Sequence, residues 1–530
     1  MTFTKPSAAM CDASADGREV ELKLGLSAAA AAKLRRLPLI RERAAGPPET
    51  ARLETIYFDT PTLDLFHAGV FLRVRRKGDR FVQALKTRGT VLSGIEDRRE
   101  TEIDLPDDKV RPDLVVDPPT VLRRKKVRKR LEPLVTTDIS RTAWLLDDAH
   151  GGRIELALDT GRIEAGSRVE PISEIELELV RGEPGSLFDL SLDLLDGVAL
   201  RSGDASKAVR GFDLLEPSVP EPVRSTEVRL GPTQSVDEAF QAIARSCLAQ
   251  ILANEPAAAN GIDPEGVHQM RVGVRRLRSA MALFSKILVG DEGEAIASEL
   301  KWLLDRLGPA RDMDVFLSDI LRPLVAYFAN SEAVVALDAL AEQRRVREYR
   351  SVRAMLKTPR YTRLLLRLGR WIEQRGWSEN AGKKARRLRA ACIASHAAAV
   401  LAKRHARLRD AGRDIENLPA PDLHRIRIHV KKQRYAVEFF SGLFDGRRSV
   451  RYLGALKTLQ NSLGYLNDAA VAERLVDELI SGQPRAAAKT GNARIGGAML
   501  AGWHGCEVAS HRESLFESWH RFDEHKKFWK

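Results

Sequence analysis

Two rhythms divide the chain. Over residues 17–215 apolar and polar positions alternate, and period-two alternation marks strands whose side chains point to opposite faces. The first clear case, Glu19-Val20-Glu21-Leu22-Lys23-Leu24, puts Glu19, Glu21 and Lys23 on one face and the apolar residues on the other. Residues 27–37 are Ala-rich and predict a short helix that stops at Pro38. Residues 56–59 predict a strand entering a turn at Thr60-Pro61, and residues 69–76 a strand with Arg73 and Arg75 on one face. Gly78-Asp79 then makes a hairpin turn into a strand over 81–86, ending at Lys86. Further along, Glu96, Arg98, Glu100, Glu102 and Asp104 share a face; so do Glu155 and Asp159, and so do Glu174, Glu176 and Glu178.

The second rhythm begins beyond residues 216–233, a proline-rich joint whose composition predicts a semi-rigid spacer and a boundary. From 234 to about 525 long Ala-, Leu- and Arg-rich segments carry helical periodicity. An internal repeat lies within them. His268-Gln269-Met270-Arg271-Val272-Gly273-Val274-Arg275-Arg276-Leu277-Arg278 recurs as His424-Arg425-Ile426-Arg427-Ile428-His429-Val430-Lys431-Lys432-Gln433-Arg434, an offset of 156 residues. The same offset carries Leu307-Gly308 onto Leu463-Gly464 and Asp312 onto Asp468, so two related helical halves are expected.

At 530 residues the chain is too long for one core, which agrees with two domains. Its 86 Lys and Arg against 73 Asp and Glu give +13, a balance that favours polyanionic partners. Cys11, Cys247, Cys392 and Cys506 have neither zinc nor redox spacing and read as free thiols. No apolar run is long enough to span a bilayer and the N-terminal residues do not read as a signal peptide, so a cytoplasmic protein without a membrane partner is expected.

Strand after strand pairs an apolar face with one that mixes carboxylates and Arg or Lys. A closed antiparallel barrel accommodates this by lining a central tunnel with charge and packing the apolar faces outward beneath helices. Arg and Lys in such a tunnel suit a phosphate chain, and carboxylates suit a hard divalent cation.

The ExExK start at Glu19, Glu21 and Lys23, the Tyr57-Phe58-Asp59-Thr60 turn, the Leu72-Arg73-Val74-Arg75 strand, Leu85-Lys86, Arg98-x-Glu100-x-Glu102, Glu174-Ile175-Glu176 and Ser206-Lys207 together resemble the CYTH family of triphosphate tunnel metalloenzymes. The resemblance covers about 200 residues in the family's order. It implies an α+β domain at 17–215 built on an eight-stranded antiparallel tunnel barrel with covering helices. It further implies a metal set of Glu19, Glu21, Asp159, Glu174 and Glu176, holding Mg²⁺ or Mn²⁺, with Glu19, Glu21 and Lys23 as catalytic residues. Arg52, Arg73, Arg75, Lys86, Arg98, Arg141 and Lys207 would grip phosphate oxygens. The run Arg123-Arg124-Lys125-Lys126-Val127-Arg128-Lys129-Arg130 departs from the pattern and reads as a solvated basic segment, with collection of polyanions as its functional alternative.

In the helical half, His268, Arg271 and Arg275, or His424, Arg427 and Lys431, fall on one helical face, while Met270, Val274 and Leu277, or Ile426, Val430 and Tyr435, face inward. A row of cations without interleaved acids repels itself and calls for an external polyanion. Residues 344–389 add 16 Lys and Arg against Glu348, Glu373 and Glu379. Few aromatics accompany these faces, which favours phosphate over nucleobases.

The repeated helix, the Leu307-Gly308-x-x-Arg311-Asp312-x-Asp314 turn and Lys431-x-x-Arg434-Tyr435 resemble the CHAD domain, an all-α module associated with inorganic polyphosphate. That resemblance implies polyphosphate binding by His268, Arg271, Arg275, Arg276, Arg278, His424, Arg427, Lys431, Lys432 and Arg434. The second copy departs at Leu466 and Ala470, where the first has Arg311 and Asp314. Asp312 and Asp468 are expected to cap or orient neighbouring Arg residues.

The expected activity is hydrolysis of inorganic triphosphate, with polyphosphate as a second ligand and no specific nucleic acid. The alternatives are a non-catalytic polyphosphate-binding protein targeted to polyphosphate granules, or a hydrolase or cyclase acting on an organic triphosphate.

Overall fold

A computed structural model describes residues 11–12, 18–148, 151–203, 205–378, 382–481 and 488–529. Eight long strands form the first architectural element: β1 (Arg18–Leu26), β2 (Glu49–Asp59), β3 (Val70–Lys77), β4 (Arg80–Thr87), β5 (Ile95–Leu105), β6 (Glu132–Asp147), β7 (Arg153–Ala165) and β8 (Arg168–Gly182). Each pairs antiparallel with two neighbours, in the order β8-β7-β6-β2-β3-β4-β5-β1, and β1 pairs back onto β8. The ring is closed, as the alternating faces predict.

Closure sends the apolar faces outward. Leu22, Leu24, Leu156, Leu158, Ile175 and Leu177 form one core with Leu187 and Phe188 of helix α1 (Gly185–Gly197). Leu72 and Leu85 pack beneath Val115, Leu122 and Val127, the last within the short basic turn Lys125–Arg128. Inside the ring, one end is apolar. Leu53, Val135, Ile139, Ile163 and Ile172 meet Ala208 and Phe212 of helix α2 (Lys207–Leu215), whose first turn is capped by the Ser206 hydroxyl.

By packing, the chain falls into two units, Met1–Pro220 with Lys357–Arg375, and Glu221–Leu356 with Gly376–Lys530. The sequence pattern places 357–375 in the helical half, yet its helix α6 (Pro359–Glu373) sits in the first unit. Leu366 enters the α1 core, Arg363 pairs with Asp196 at 2.8 Å, and Ser93 donates to Glu373 at 2.6 Å. Amphipathic periodicity defines which face of a helix is apolar but not which partner covers it.

The second unit is all helical. The two repeat copies are α4 (Glu265–Leu283) and α7 (Ala420–Phe440), with Met270, Val274, Leu277, Ile426, Val430 and Tyr435 buried as predicted. Helix α3 (Val236–Ala253) opens with a complete Ser235/Glu238 capping box. The motif at 307–314 is not a turn. It lies inside helix α5 (Asp291–Val315), where Leu300, Leu303, Leu307, Ala310 and Met313 keep one buried stripe running past Pro309. Its copy lies likewise inside α8 (Gly446–Ser481), so Asp312 and Asp468 are mid-helix residues rather than caps. Among the described residues no helix is long and apolar enough to cross a membrane. Cys247 and Cys392 are free thiols; the side chains of Cys11 and Cys506 lie outside the described residues.

Candidate functional sites

Ladder register decides which charges meet inside the barrel. Glu155 stands opposite Glu178, Glu178 opposite Glu21, and Glu21 opposite Glu96, a row of carboxylates on four adjacent strands. Cross-strand partners lie side by side, so like charges in such a row repel unless a cation intervenes. Lys23 supplies part of that charge, 2.9 Å from Glu21, 3.6 Å from Glu176 and 3.8 Å from Glu96. Lys86 bridges Glu19 at 2.9 Å and Glu100 at 2.7 Å. Burial and the neighbouring Glu19, Glu155 and Glu21 charges push the Glu178 carboxyl up to about 7, with Lys86 opposing.

A second set lies further along β7 and β8, with Asp159 and Glu174 four residues on, about 13 Å by strand rise, and Glu176 two residues on. Oxygens of Asp159, Glu174 and Glu176 come within 4.8 Å of one another. Lys207 reaches all three, at 2.7 Å from Asp159 and 2.8 Å from Glu176 and in contact with Glu174. Arg141 donates twice to Asp159 at 2.7 Å and also meets Glu176. Arg210, one turn beyond Lys207, clamps Glu174 at 2.8 Å and Glu170 at 2.7 Å. Burial opposes charge at Asp159, yet Lys207 and Arg141 hold it below the usual carboxylate range. The five carboxylates expected as one metal set are thus divided between two levels of the barrel. Three clustered oxygen donors with a span of 4.8 Å fit a hard divalent cation.

Between these levels lies a cavity of about 420 Å³, lined by Glu19, Lys23, Arg73, Arg75, Lys86, Arg141, Glu176 and Lys207 among the expected residues. Tyr57, Glu100, Glu102 and Glu178 also line it. Arg73 pairs with Glu100 at 2.9 Å and keeps a buried Nε that has no hydrogen-bond partner among the described residues. Burial and repulsion from Arg73 and Arg141 push the Arg75 guanidinium down to about 10. For Tyr57 burial works against the phenolate, but Arg73, Arg75 and Lys207 outweigh it and the hydroxyl shifts downward. Arg73 and Arg141 already have carboxylate partners, so on this wall it is Arg75, which forms no ion pair among the described residues, that calls for an anion.

Arg52 does not join this wall. It lies on the opposite parity of β2 from Thr55 and Tyr57 and forms an exposed fork onto Asp138 at 2.8 and 3.0 Å. Arg98 pairs by backbone with Glu19, but its side chain lies outside the described residues. Asp59 holds the turn after β2, accepting from the Thr60, Leu65 and Phe66 N–H groups at 2.7, 2.9 and 2.8 Å. Arg210 and Glu178 join Tyr57, Glu100 and Glu102 as site residues outside the set that the family pattern implies. The Glu174/Glu176/Glu178 alternation carried a signal for Glu178; Arg210 had only its spacing from Lys207.

In the helical unit a cavity of about 810 Å³ takes His268, Arg271 and Arg275 from α4, and Arg427, Lys431 and Arg434 from α7. Arg276 reaches the same wall, but its guanidinium donates to Gln250 at 2.7 Å and lies over the Phe439 ring. Arg278, His424 and Lys432 are exposed and lie off the cavity. Among the described residues, the buried Nε atoms of Arg271, Arg275, Arg427 and Arg434 and the buried Nδ1 of His268 have no hydrogen-bond partner. His268 is not part of a cation row, because burial and Arg311 push it down to about 4. Burial, then Arg427 and Arg275, push Lys431 down to about 7 against the pull of Asp468.

Family models match twice: a CYTH domain over residues 17–212 and a CHAD domain over residues 242–477. An inorganic triphosphatase of Haemophilus influenzae is 32% identical over 202 residues, 37% of this chain and 54% of that protein. The chain thus spans about half the length of that relative. An uncharacterized protein of Mycobacterium tuberculosis is 26% identical over 463 residues, 82% of this chain and 83% of its own. Among solved structures, the CHAD domain from the plant Ricinus communis is 35% identical, covering 56% of this chain and 96% of that one with a TM-score of 0.48.

Proposed function

We propose, for a chain that joins a CYTH domain at residues 17–212 to a CHAD domain at residues 242–477, that the barrel hydrolyses inorganic triphosphate and the helical unit binds inorganic polyphosphate. The observation that carries the reading is a cavity wall of Arg73, Arg75 and Arg141, with Arg75 lacking a carboxylate of its own, facing carboxylates at two levels of one closed barrel. Arg73, Arg75 and Lys86 bind the phosphate chain, and Arg forks fix its oxygens in register. Lys207 and Arg141 hold Asp159 and Glu176 ionised and oriented, and Lys207 with Arg210 orients Glu174. Those three carboxylates would hold Mg²⁺ or Mn²⁺, which supplies charge neutralisation and a more acidic water. Water oxygen bonds to the terminal phosphorus, the bridging P–O bond breaks, and pyrophosphate departs. Water thereby replaces the bridging oxygen on phosphorus, and its released proton passes to a carboxylate of the Glu21 row or to solvent. The cationic side chains act by stabilising charge on the transferred group, which is most of what phosphoryl transfer requires.

Support for triphosphate as substrate comes from the 32% identical triphosphatase and from the cavity's small volume of about 420 Å³. Support for polyphosphate in the second unit comes from the partnerless Nε atoms in its larger cavity. In this reading the protein works in the cytoplasm, and the helical unit directs it to polyphosphate granules.

The test is phosphate release from inorganic triphosphate with Mg²⁺ or Mn²⁺, run beside ATP, thiamine triphosphate and long-chain polyphosphate. Rapid, EDTA-sensitive release from triphosphate that is lost in Glu19→Gln and Glu21→Gln is expected. No turnover, together with tight polyphosphate binding, would replace the enzyme by a binding protein on the same fold.

A further inference from the structure

The proline-rich joint is more than a spacer. Four prolines fall in residues 216–232, so the backbone there cannot rely on a regular ladder, and each polar backbone group needs another partner. At Val223 one side chain supplies both. The Val223 N–H donates to Asn254 Oδ1 at 2.9 Å, and Asn254 Nδ2 donates to the Val223 carbonyl at 2.8 Å. Asn254 is fully buried, and its Nδ2 also donates to the Gln250 carbonyl at 2.8 Å.

That clamp is tied to the basic helix. Gln250 Nε2 donates to Gln269 on α4 at 2.9 Å, Arg276 on α4 donates to Gln250 Oε1 at 2.7 Å, and Gln269 Nε2 donates to Glu265 at 2.6 Å. Buried amide networks with their partners in place fix geometry firmly. The segment beginning at Glu221, which packs with the helical unit, is thereby fastened to the element that carries His268, Arg271 and Arg275.

Its next two residues, Arg224 and Ser225, lie on the wall of the 810 Å³ cavity. Arg224 is exposed and, among the described residues, forms no ion pair or hydrogen bond. The wall already carries an excess of positive charge: eight Lys and Arg, Arg224 included, against four Asp and Glu. Repulsion alone would drive the Arg224 guanidinium away from such a wall, but the Asn254 clamp on Val223 holds its backbone there. A linear polyanion in the cavity would be attracted to strap and helices alike.

We propose that residues 221–230 are a strap over the polyanion cavity and that Arg224 is a phosphate ligand of that site. The proposal rests on the polyphosphate reading of the helical unit. It adds to it a binding residue outside the repeated helices, contributed by the joint itself. The ligand class is a linear inorganic polyphosphate, whose closely spaced oxygens can meet Arg224 and the α4 and α7 cations together.

The test titrates the full-length protein with fluorescently labelled long-chain polyphosphate at several salt concentrations, comparing wild type with Arg224→Ala, Arg224→Glu, Arg224→Lys and Arg275→Ala. Arg224→Ala is expected to weaken binding about three- to tenfold at low salt. It should also flatten the slope of log affinity against log salt by about 0.7, as loss of one phosphate contact does on a single-stranded polyanion. Arg224→Glu should weaken binding further, and Arg224→Lys should restore the slope. Unchanged affinity and slope in Arg224→Ala, with weakened binding in Arg275→Ala, overturns the strap proposal and leaves the polyphosphate reading standing. If Arg275→Ala also binds normally, the cavity is not the polyphosphate site and both fall. Arg224-dependent binding of a single-stranded oligonucleotide without binding of polyphosphate overturns the choice of ligand.

Discussion

Lys207 Nζ lies 2.7 Å from Asp159, a carboxylate with no solvent exposure, and 2.8 Å from Glu176, so one ammonium stands where three acidic side chains converge. Burial disfavours its charge, but Glu176, Asp159 and Glu174 together raise its pKa above the ordinary lysine value. Removing one partner of such a buried network leaves uncompensated charge, at a cost of about 3–5 kcal/mol. Lys207→Ala is therefore expected to lose triphosphatase activity and to melt well below the wild type in EDTA. A divalent cation should restore much of that stability, because the bared carboxylates bind it more readily. Thermal melts with and without Mg²⁺ check this; a deficit that Mg²⁺ leaves unchanged would remove the three carboxylates as a metal set.

Alternation is a local property, which is why Glu19, Glu21, Lys23, Arg73, Arg75 and Lys86 could be placed on interior faces from the sequence. Register between strands is not local. Nothing in Glu174-Ile175-Glu176 states that Glu174 faces Gly25 whereas Glu178 faces Glu21, and that pairing divides the carboxylates into two levels. Arg52 was distinguishable in principle, since its parity on β2 opposes that of Tyr57. The neutrality of His268 depends on burial beside Arg311, and the placement of α6 depends on what its apolar face meets. Both are tertiary facts that helical spacing alone does not contain.

Polyphosphate binding should weaken as pH rises. Lys431, facing Arg427, Arg275, Arg434 and Asp468, is pushed down to about 7, so it is largely charged at pH 6 and largely neutral at pH 8.5. A bound polyanion favours the ammonium, so binding above pH 7 takes up a proton, and affinity falls by up to about tenfold per pH unit. Stability of the free protein runs the other way. Between about 7 and the ordinary lysine value the unfolded chain holds more protons than the folded one, so the Lys431 contribution to stability rises with pH. Calorimetric titrations in buffers of different ionisation enthalpy count the proton, and Lys431→Met should abolish most of the dependence.

Asp314 separates structure from binding in the helical unit. It is 3% exposed, accepts from Arg345 Nε at 2.9 Å and from the Tyr349 hydroxyl at 2.8 Å, and has no counterpart in the second copy, where Ala470 stands. Asp314→Ala strands a partly buried guanidinium and a buried hydroxyl, and a loss of about 3–4 kcal/mol is expected. Denaturant unfolding measures it. At temperatures where the variant remains folded, polyphosphate affinity should equal that of the wild type, since Asp314 holds α5 to its neighbour rather than contacting the cavity.

Helix α6 tests how far the barrel unit depends on the segment 357–375. Gly369 allows the closest approach of the two: a Cβ there would meet Phe188 Cε1 at 2.4 Å and the Ser93 carbonyl oxygen at 3.0 Å. Phe188 is 1% exposed within the α1 core, so the ring has little room to yield. Gly369→Ala should cost about 1–3 kcal/mol through overpacking, somewhat offset by the better helix propensity of alanine. Gly369→Leu should release the helix from α1 altogether. The barrel would then lose the cover that Leu366 provides and the Ser93–Glu373 hydrogen bond at the turn leading into β5. Hydrogen exchange resolves the outcome. Faster exchange confined to α6, α1 and the start of β5 is expected in Gly369→Leu, with protection elsewhere in the barrel retained. Protection of α1 equal to that of the wild type would show that the barrel unit closes its core without the returning helix.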